Sequence, residues 1–180
     1  QPLFIRNNSK SNGTISIANS VPLRGFEYGN SFSVIYDDIE TISLSAEIEM
    51  MLSKRFTLGA NATYYNYTLT NQQRPWNLPE LEAGATMRYQ KDKWYASADL
   101  FFVGEREDIL YTGTFLSNIA GTQSLKAFAD LNFNAGYHIN PFVSVFVRAN
   151  NILNSDYERF ANFNVQGLQV LGGITYKFDF

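Results

Sequence analysis

Leu168-Gln169-Val170-Leu171-Gly172-Gly173-Ile174-Thr175-Tyr176-Lys177-Phe178-Asp179-Phe180 alternates in hydropathy from end to end. Leu168, Val170, Gly172, Ile174, Tyr176, Phe178 and Phe180 fall on one face. Gln169, Gly173, Thr175, Lys177 and Asp179 fall on the other, with Leu171 the single large apolar residue among them. Strand side chains point alternately to opposite faces, so this stretch reads as a strand with one apolar and one polar side. In water, a free apolar face running into Tyr-x-Phe-x-Phe is an aggregation hazard. In a bilayer it is the pattern of a lipid-facing strand.

Working outward, the same alternation predicts strands near 39–53, 56–69, 78–90, 94–107, 125–139 and 142–153, with the terminal one near 167–180. Ile42, Leu44, Ala46, Ile48, Met50 and Leu52, for example, oppose Thr41, Ser43, Ser45, Glu47 and Glu49. Each segment has the length a tilted strand needs to cross a bilayer. The connections at 53–55, 91–93 and 140–141 are tight, whereas 7–31, 70–77, 109–124 and 154–166 are long and polar. Tight turns at one end and long loops at the other are the asymmetry of an outer-membrane barrel, with the short side periplasmic. The fold expected is therefore all-β, with antiparallel up-and-down transmembrane strands, and the location expected is the bacterial outer membrane.

Composition narrows the alternatives. A net charge of −3 offers no basic stripe, so no nucleic-acid partner is expected. No apolar run approaches the length of a transmembrane helix, while a mean hydropathy of −0.20 suits strands with one polar face. Without cysteine there is no disulfide or thiol chemistry. The absence of an initial Met and of a signal-like segment suggests a mature chain or a fragment. A soluble barrel of the lipocalin type also alternates, but it turns its apolar face inward. Here Phe56, Tyr89, Trp94, Tyr137, Tyr176 and Phe178 gather near the tight-turn ends of the apolar face, as in an interfacial aromatic girdle. Outer-membrane lipid is thus an expected partner.

Candidate chemistry is sparse. The lone histidine, His138, lies beside the Asn140-Pro141 turn, away from any nucleophile, and reads as a solvated side chain. Asp37, Asp38 and Glu40 lack the spacing of a calcium loop and read as a solvated charge run. No metal site, cofactor or enzyme activity is expected. The polar face carries Glu80, Glu82, Arg88, Asp99 and Arg148 as candidate lumen-facing charges, for which pairing between neighbouring strands is the simplest reading. Tyr65, Tyr67, Phe101 and Val103 offer apolar surface near the long-loop end, either for a substrate to stack on or for loops to pack over.

Asn150-Asn151-Ile152-Leu153-Asn154-Ser155-Asp156-Tyr157-Glu158, followed by a strand closing on Phe180, resembles the carboxy-terminal end of TonB-dependent receptors. Trp76-Asn77-Leu78-Pro79, Phe102-Val103-Gly104-Glu105-Arg106 and Pro2-Leu3-Phe4-Ile5 look like that family too, most of all its Bacteroidetes-type versions. The resemblance implies a barrel of about 22 strands around a plug domain. It also implies energy-coupled uptake of a scarce ligand, such as an iron chelate, cobalamin or a glycan. The implied partners are the rest of the barrel and its plug, TonB-type coupling through that plug, and the barrel-assembly machinery. For the last, Tyr176, Phe178 and Phe180 look like the assembly signal. Plug, coupling box and about two thirds of such a barrel's strands are absent from these 180 residues, which suggests a carboxy-terminal piece. The alternative is a self-contained barrel of about eight strands, an adhesin or structural anchor, with Pro2 to Arg6 as the stub of its eighth strand.

Overall fold

A computed structural model describes residues 2–6, 32–112, 118–161 and 163–178. In chain order the strands are β1 (Pro2–Arg6), β2 (Phe32–Tyr36), β3 (Ile39–Ser53), β4 (Phe56–Leu69), β5 (Leu81–Lys91), β6 (Trp94–Val103), β7 (Arg106–Thr112), β8 (Asn118–Leu125), β9 (Phe128–His138), β10 (Val143–Asn150), β11 (Glu158–Phe160), β12 (Phe163–Asn164) and β13 (Gln169–Tyr176). Seven of them form one antiparallel sheet in the order β13-β10-β9-β6-β5-β4-β3. The pairs β1-β2, β7-β8 and β11-β12 stand as separate two-stranded sheets.

Register keeps the two faces apart across the whole sheet. Leu58, Met87, Ala98, Phe133, Ala149 and Val170 form one cross-strand row. Thr57, Arg88, Ser97, Asn134 and Arg148 form a row on the opposite face. A one-residue slip in any strand would exchange these sets, so the apolar pattern itself fixes the pairing. Both faces of this single-layered sheet are uncovered along β3 and β13, and on the apolar one Leu44 is 75% and Ile174 is 74% exposed. A soluble barrel would bury those side chains, at a gain of about 1.5–3 kcal/mol each. Here they stand uncovered.

Three tight connections lie at one end of the sheet. Lys54-Arg55 joins β3 to β4, and Asp92-Lys93 joins β5 to β6, with Asp92 in the left-handed region at φ 50° that Asp tolerates. Between β9 and β10 the Asn140 side-chain oxygen accepts hydrogen bonds from the Phe142 and Val143 amides at 2.9 and 2.8 Å. Such an Asx turn is fixed by the side chain, and Pro141 brings no N–H that needs a partner.

The polar face near this end holds a further row: Tyr95, Gly136, Phe146 and Gly173 are consecutive cross-strand neighbours. Aromatic and glycine alternate along it. A Cβ built on Gly136 would stand 2.2 Å from Tyr95 Cζ, and one on Gly173 2.7 Å from the Phe146 ring. Each ring therefore lies over the bare backbone of a glycine, filling with its own carbon the space a side chain would take.

The long connections depart from the loops read in the sequence. The strand expected over 94–107 ends at Val103; after Gly104-Glu105 the chain resumes as β7, whose hairpin with β8 occupies most of 109–124. The loop expected over 154–166 contains the short β11-β12 pair. The strand expected from 78 begins at Leu81. Pro2 to Arg6 pairs only with β2, so it does not close the seven-stranded sheet between β3 and β13.

Candidate functional site

At the long-loop end, the three described connections converge into one crown. It contains the residues buried most deeply among the described ones, Asp108, Ile109 and Ala161, each 0% exposed. Trp76 packs with Ile109, flanked by Ile35, Ile39 and Leu78. Its indole N–H donates to the Gln72 side chain at 3.0 Å. Asn77, in the left-handed region at φ 55°, ties this loop outward. Its amide donates to the Glu107 carbonyl at 2.7 Å and its side chain to the Arg159 carbonyl at 3.1 Å. Arg74 and Glu107 form the one ion pair among the described residues. The Trp76-Asn77-Leu78-Pro79 motif is thus the hub of the crown.

Polar side chains, more than apolar ones, hold these loops. The Asp37 carboxylate accepts four amides: Asp38 N at 2.9 Å, Asn71 N at 3.0 Å, Asn71 Nδ2 at 2.9 Å and Gln72 N at 2.8 Å. Burial pushes its pKa up, but those hydrogen bonds outweigh burial and hold it below the ordinary carboxylate value of 3.8. Asp37 is therefore a clasp between the β2-β3 junction and the loop after β4, which corrects its reading as part of a solvated charge run. Asp108 clasps the opposite side, accepting from Ile109 N at 3.0 Å and Ala161 N at 2.9 Å. There burial wins and raises the carboxyl's pKa, against both amides and the nearby Arg106 guanidinium.

Tyr157 is the third anchor. Its ring stacks on Phe128 with centroids 3.7 Å apart and planes 6° from parallel, and its hydroxyl donates to Asp130 at 2.8 Å. Burial, then the hydrogen bond to Asp130, pushes the Tyr157 pKa up to about 12. The Arg106 guanidinium lies over the Phe128 ring, 5.3 Å from its centroid, and donates to the Glu158 carbonyl at 2.8 Å. The preceding asparagines shape the approach. Asn151 and Asn154 both sit at φ 49°. The Asn151 side chain, 2% exposed, bonds Ser155 N, Ser155 O and Gln166 O. The 150–158 segment is thus a folded loop that inserts Tyr157 between β9 and the crown. Asp108 does not stand out in the sequence, Arg106 does so only as the end of the Phe102-to-Arg106 motif, and Asp130 only as one acid of the polar face. The available signal is an acid or arginine placed where a strand's polar face leaves the sheet.

On the polar face, Glu82 pairs across the sheet with Thr63 and Val103, Asp99 with Thr86 and Asn132, Arg88 with Ser97 and Arg148 with Asn134. Glu80 precedes β5, its carbonyl accepting from Tyr65 N at 2.8 Å. All five candidate charges are exposed, and among the described residues none is in an ion pair. Direct pairing between neighbouring strands is therefore not how this wall manages its charge. The Tyr65 hydroxyl donates to Glu82 at 3.3 Å. An open hollow of about 670 Å³ has Glu47, Asn61, Glu82, Asp99 and Phe101 in its lining. The Tyr67 hydroxyl donates to the Pro79 carbonyl at 3.0 Å, and Phe101 meets Phe128 edge-on at 6.1 Å, so both are engaged by the crown.

His138 is exposed, its ring 5.3 Å from that of Tyr95. Tyr176 ends β13, with its ring 4.7 Å from Phe178 in a T-shaped contact. Phe180 lies outside the described residues. Among the described residues no group of three or more His, Cys, Asp or Glu side chains is placed to hold a metal ion.

Residues 4–152 match the family described as TonB dependent receptor-like, beta-barrel. No curated protein matches the sequence. Solved structures of similar fold include the ferripyoverdine receptor of the outer membrane of Pseudomonas aeruginosa, bound to ferripyoverdine. It is 16% identical with a TM-score of 0.64, over 89% of this chain and 22% of that one. The copper transporter OprC is 15% identical with a TM-score of 0.63, over 82% of this chain and 25% of that one. The siderophore receptor PiuA from Acinetobacter baumannii is 14% identical with a TM-score of 0.60, over 79% and 22%. This chain thus spans a quarter or less of the structures it resembles.

Proposed function

Because this chain belongs to the TonB-dependent receptor-like β-barrel family, whose members reside in the bacterial outer membrane, we propose that it is wall and loop crown of an energy-coupled uptake receptor. The observation that carries the reading is the seven-stranded sheet with its apolar face uncovered, over a chain whose residues 4–152 match that family. A sheet edge cannot stay open in hydrocarbon, so β3 and β13 require further strands beside them. The polar face with Glu80, Glu82, Arg88, Asp99 and Arg148 faces the lumen and the plug, and its unpaired charges leave it open to that partner. Coupling to the inner membrane runs through the plug. Tyr176, Phe178 and Phe180 form the signal read by the barrel-assembly machinery.

The ligand belongs to the class of scarce chelates or large nutrients, with a metal chelate favoured over cobalamin and glycans. Structures of similar fold include receptors for ferripyoverdine and siderophores and a copper transporter. Uptake of radiolabelled ferric siderophore, cobalamin and oligosaccharide, by cells with and without the receptor that carries this chain, tests both levels. Loss of uptake of one ligand, reproduced by a protonophore, is the outcome expected. Uptake of all three that ignores the deletion sinks the ligand class; uptake that the protonophore leaves unchanged sinks the energy coupling.

A further inference from the structure

The two ends of the sheet differ in charge. At the tight-turn end, residues 53–55, 91–93 and 139–142 carry Lys54, Arg55, Lys91 and Lys93 against Asp92 as the single acid. The long-loop end holds more acids, among them Asp37, Glu105, Glu107, Asp108 and Glu158, interleaved with Arg74, Arg106 and Arg159. Backbone bonds link the turns into one rim: Gln90 N donates to the Arg55 carbonyl at 2.9 Å and His138 N to the Lys93 carbonyl at 2.8 Å. All four cations are exposed, and the one ion pair among the described residues is at the other end.

The cations also lie on a definite side of the sheet. Lys91 pairs across the hairpin with Trp94 and continues the apolar-face series Ala85, Met87 and Tyr89. A lysine at this position can lay its stem along the apolar face and extend its ammonium past the end of it. Lys93 is held in place: its ammonium donates to the Ile139 carbonyl at 2.8 Å and sits 6.0 Å from the Tyr137 ring centroid. Tyr137 in turn packs on Trp94 at 4.6 Å, with Trp94 58% exposed. An ammonium carries three donors, and the Ile139 carbonyl takes one of them, which leaves two for a further partner. The result is a fixed cation at the level where aromatic rings mark the membrane–water boundary, with a second on the same face and two more in the adjoining turn.

We propose that this rim binds the headgroups of anionic phospholipids in the leaflet it meets, with Lys91 and Lys93 on the phosphate and Trp94 and Tyr137 against the glycerol and upper acyl region. Charge complementarity selects the headgroup, and the position of Lys91 on the lipid side distinguishes this from a soluble partner, which would meet only the turn tips. Attraction of basic residues to an anionic surface is worth about a fivefold gain in binding per cation. The inference requires the outer-membrane placement but not any particular transported ligand, so uptake experiments and this one fail independently.

The test is native mass spectrometry of the full-length receptor that carries this chain, in detergent micelles doped with equal amounts of phosphatidylglycerol and phosphatidylcholine. Retention of phosphatidylglycerol in excess of phosphatidylcholine is expected. In the variant Lys91→Gln/Lys93→Gln that excess falls about tenfold or more, while Lys91→Arg/Lys93→Arg keeps it. Heat-modifiable migration on gels confirms that each variant is folded. Equal retention of the two lipids by the unaltered receptor overturns the proposal, as does an excess that survives the glutamine substitutions. An excess lost equally in the arginine variant shows that charge is not its origin and overturns it too. Unchanged lipid retention with loss of a co-purifying periplasmic protein assigns the rim to that protein instead.

Discussion

The tight-turn end and the long-loop end of this sheet are built from the same seven strands but ordered by different physics. At the tight-turn end the backbone ladder does nearly everything. Turns of two to four residues join the strands, rings lie over glycines, and the apolar side chains beyond stand exposed. At the long-loop end the chain leaves the ladder, and its amides need other partners. There, the Asp37 and Asp108 carboxylates accept amides from segments distant in sequence, the Asn151 side chain accepts from Ser155 N and donates to the Gln166 carbonyl, and the Tyr157 hydroxyl donates to Asp130. Apolar burial contributes a small core around Trp76 and Ile109. The difference teaches that a long polar loop becomes a defined surface through a few buried acceptors, and that each such acceptor is a point of failure.

The largest effect is expected from removing one. Asp108→Ala strands the Ile109 and Ala161 amides in a buried site and takes the carboxylate away from Arg106. Unpaired buried donors of this kind cost about 2–4 kcal/mol in all. Hydrogen exchange should accelerate at Ala161 and through β7, with the β3-β4 ladder unaffected. Protection at Ala161 equal to that of the unaltered protein would mean that the crown does not depend on this clasp.

A smaller effect at the opposite end probes the rings over glycine. In Gly136→Ala the new methyl falls 2.2 Å from Tyr95 Cζ and 2.3 Å from its hydroxyl, so the ring must leave its place. Overpacking of this sort costs about 1–3 kcal/mol. Gly172→Ala, whose methyl meets only the Phe146 carbonyl at 3.6 Å, is the matched control and should be nearly neutral. Urea unfolding in detergent micelles reads both. Equal midpoints for the two variants would remove the stacked rings from the account of what holds β6, β9, β10 and β13 together.

The same contrast explains what the sequence disclosed. The membrane-crossing parts were legible because period-two alternation is a local signal, and Ile39–Ser53 and Phe56–Leu69 fall where the pattern placed them. Tight turns were legible from Lys-Arg, Lys-Asp-Lys and Asn-Pro. The crown was not, because Asp108 meets Ala161 across 53 positions and Asp37 meets Gln72 across 35. No periodicity marks an acid that will be buried by a segment so far away, and composition alone makes Asp37-Asp38 look solvated. The 150–158 motif was visible as a family resemblance, yet its physical content, two left-handed asparagines delivering Tyr157 to Asp130, emerges only with the fold. The ring-on-glycine row was hidden for a related reason: Tyr95, Gly136, Phe146 and Gly173 become neighbours only once three registers are set.

The smallest effect sharpens the comparison within the crown itself, because its two carboxylate clasps respond to acid with opposite sign. Asp108 has its folded pKa raised above the ordinary value, so the folded state holds its proton more tightly than the unfolded chain does. Its contribution therefore grows as pH falls from neutrality through the folded pKa toward 3.8. Asp37 has its folded pKa lowered, so its contribution is full above 3.8 and is lost as pH falls below that through the folded value. Exchange at the Ala161 amide, corrected for its intrinsic pH dependence, should thus slow between neutral pH and about 4, while Asn71 and Gln72 keep constant protection. On further acidification Asn71 and Gln72 should open first. If all three amides lose protection together on acidification, the clasps act as one cooperative unit and the local electrostatics of each carboxylate no longer accounts for the crown's order.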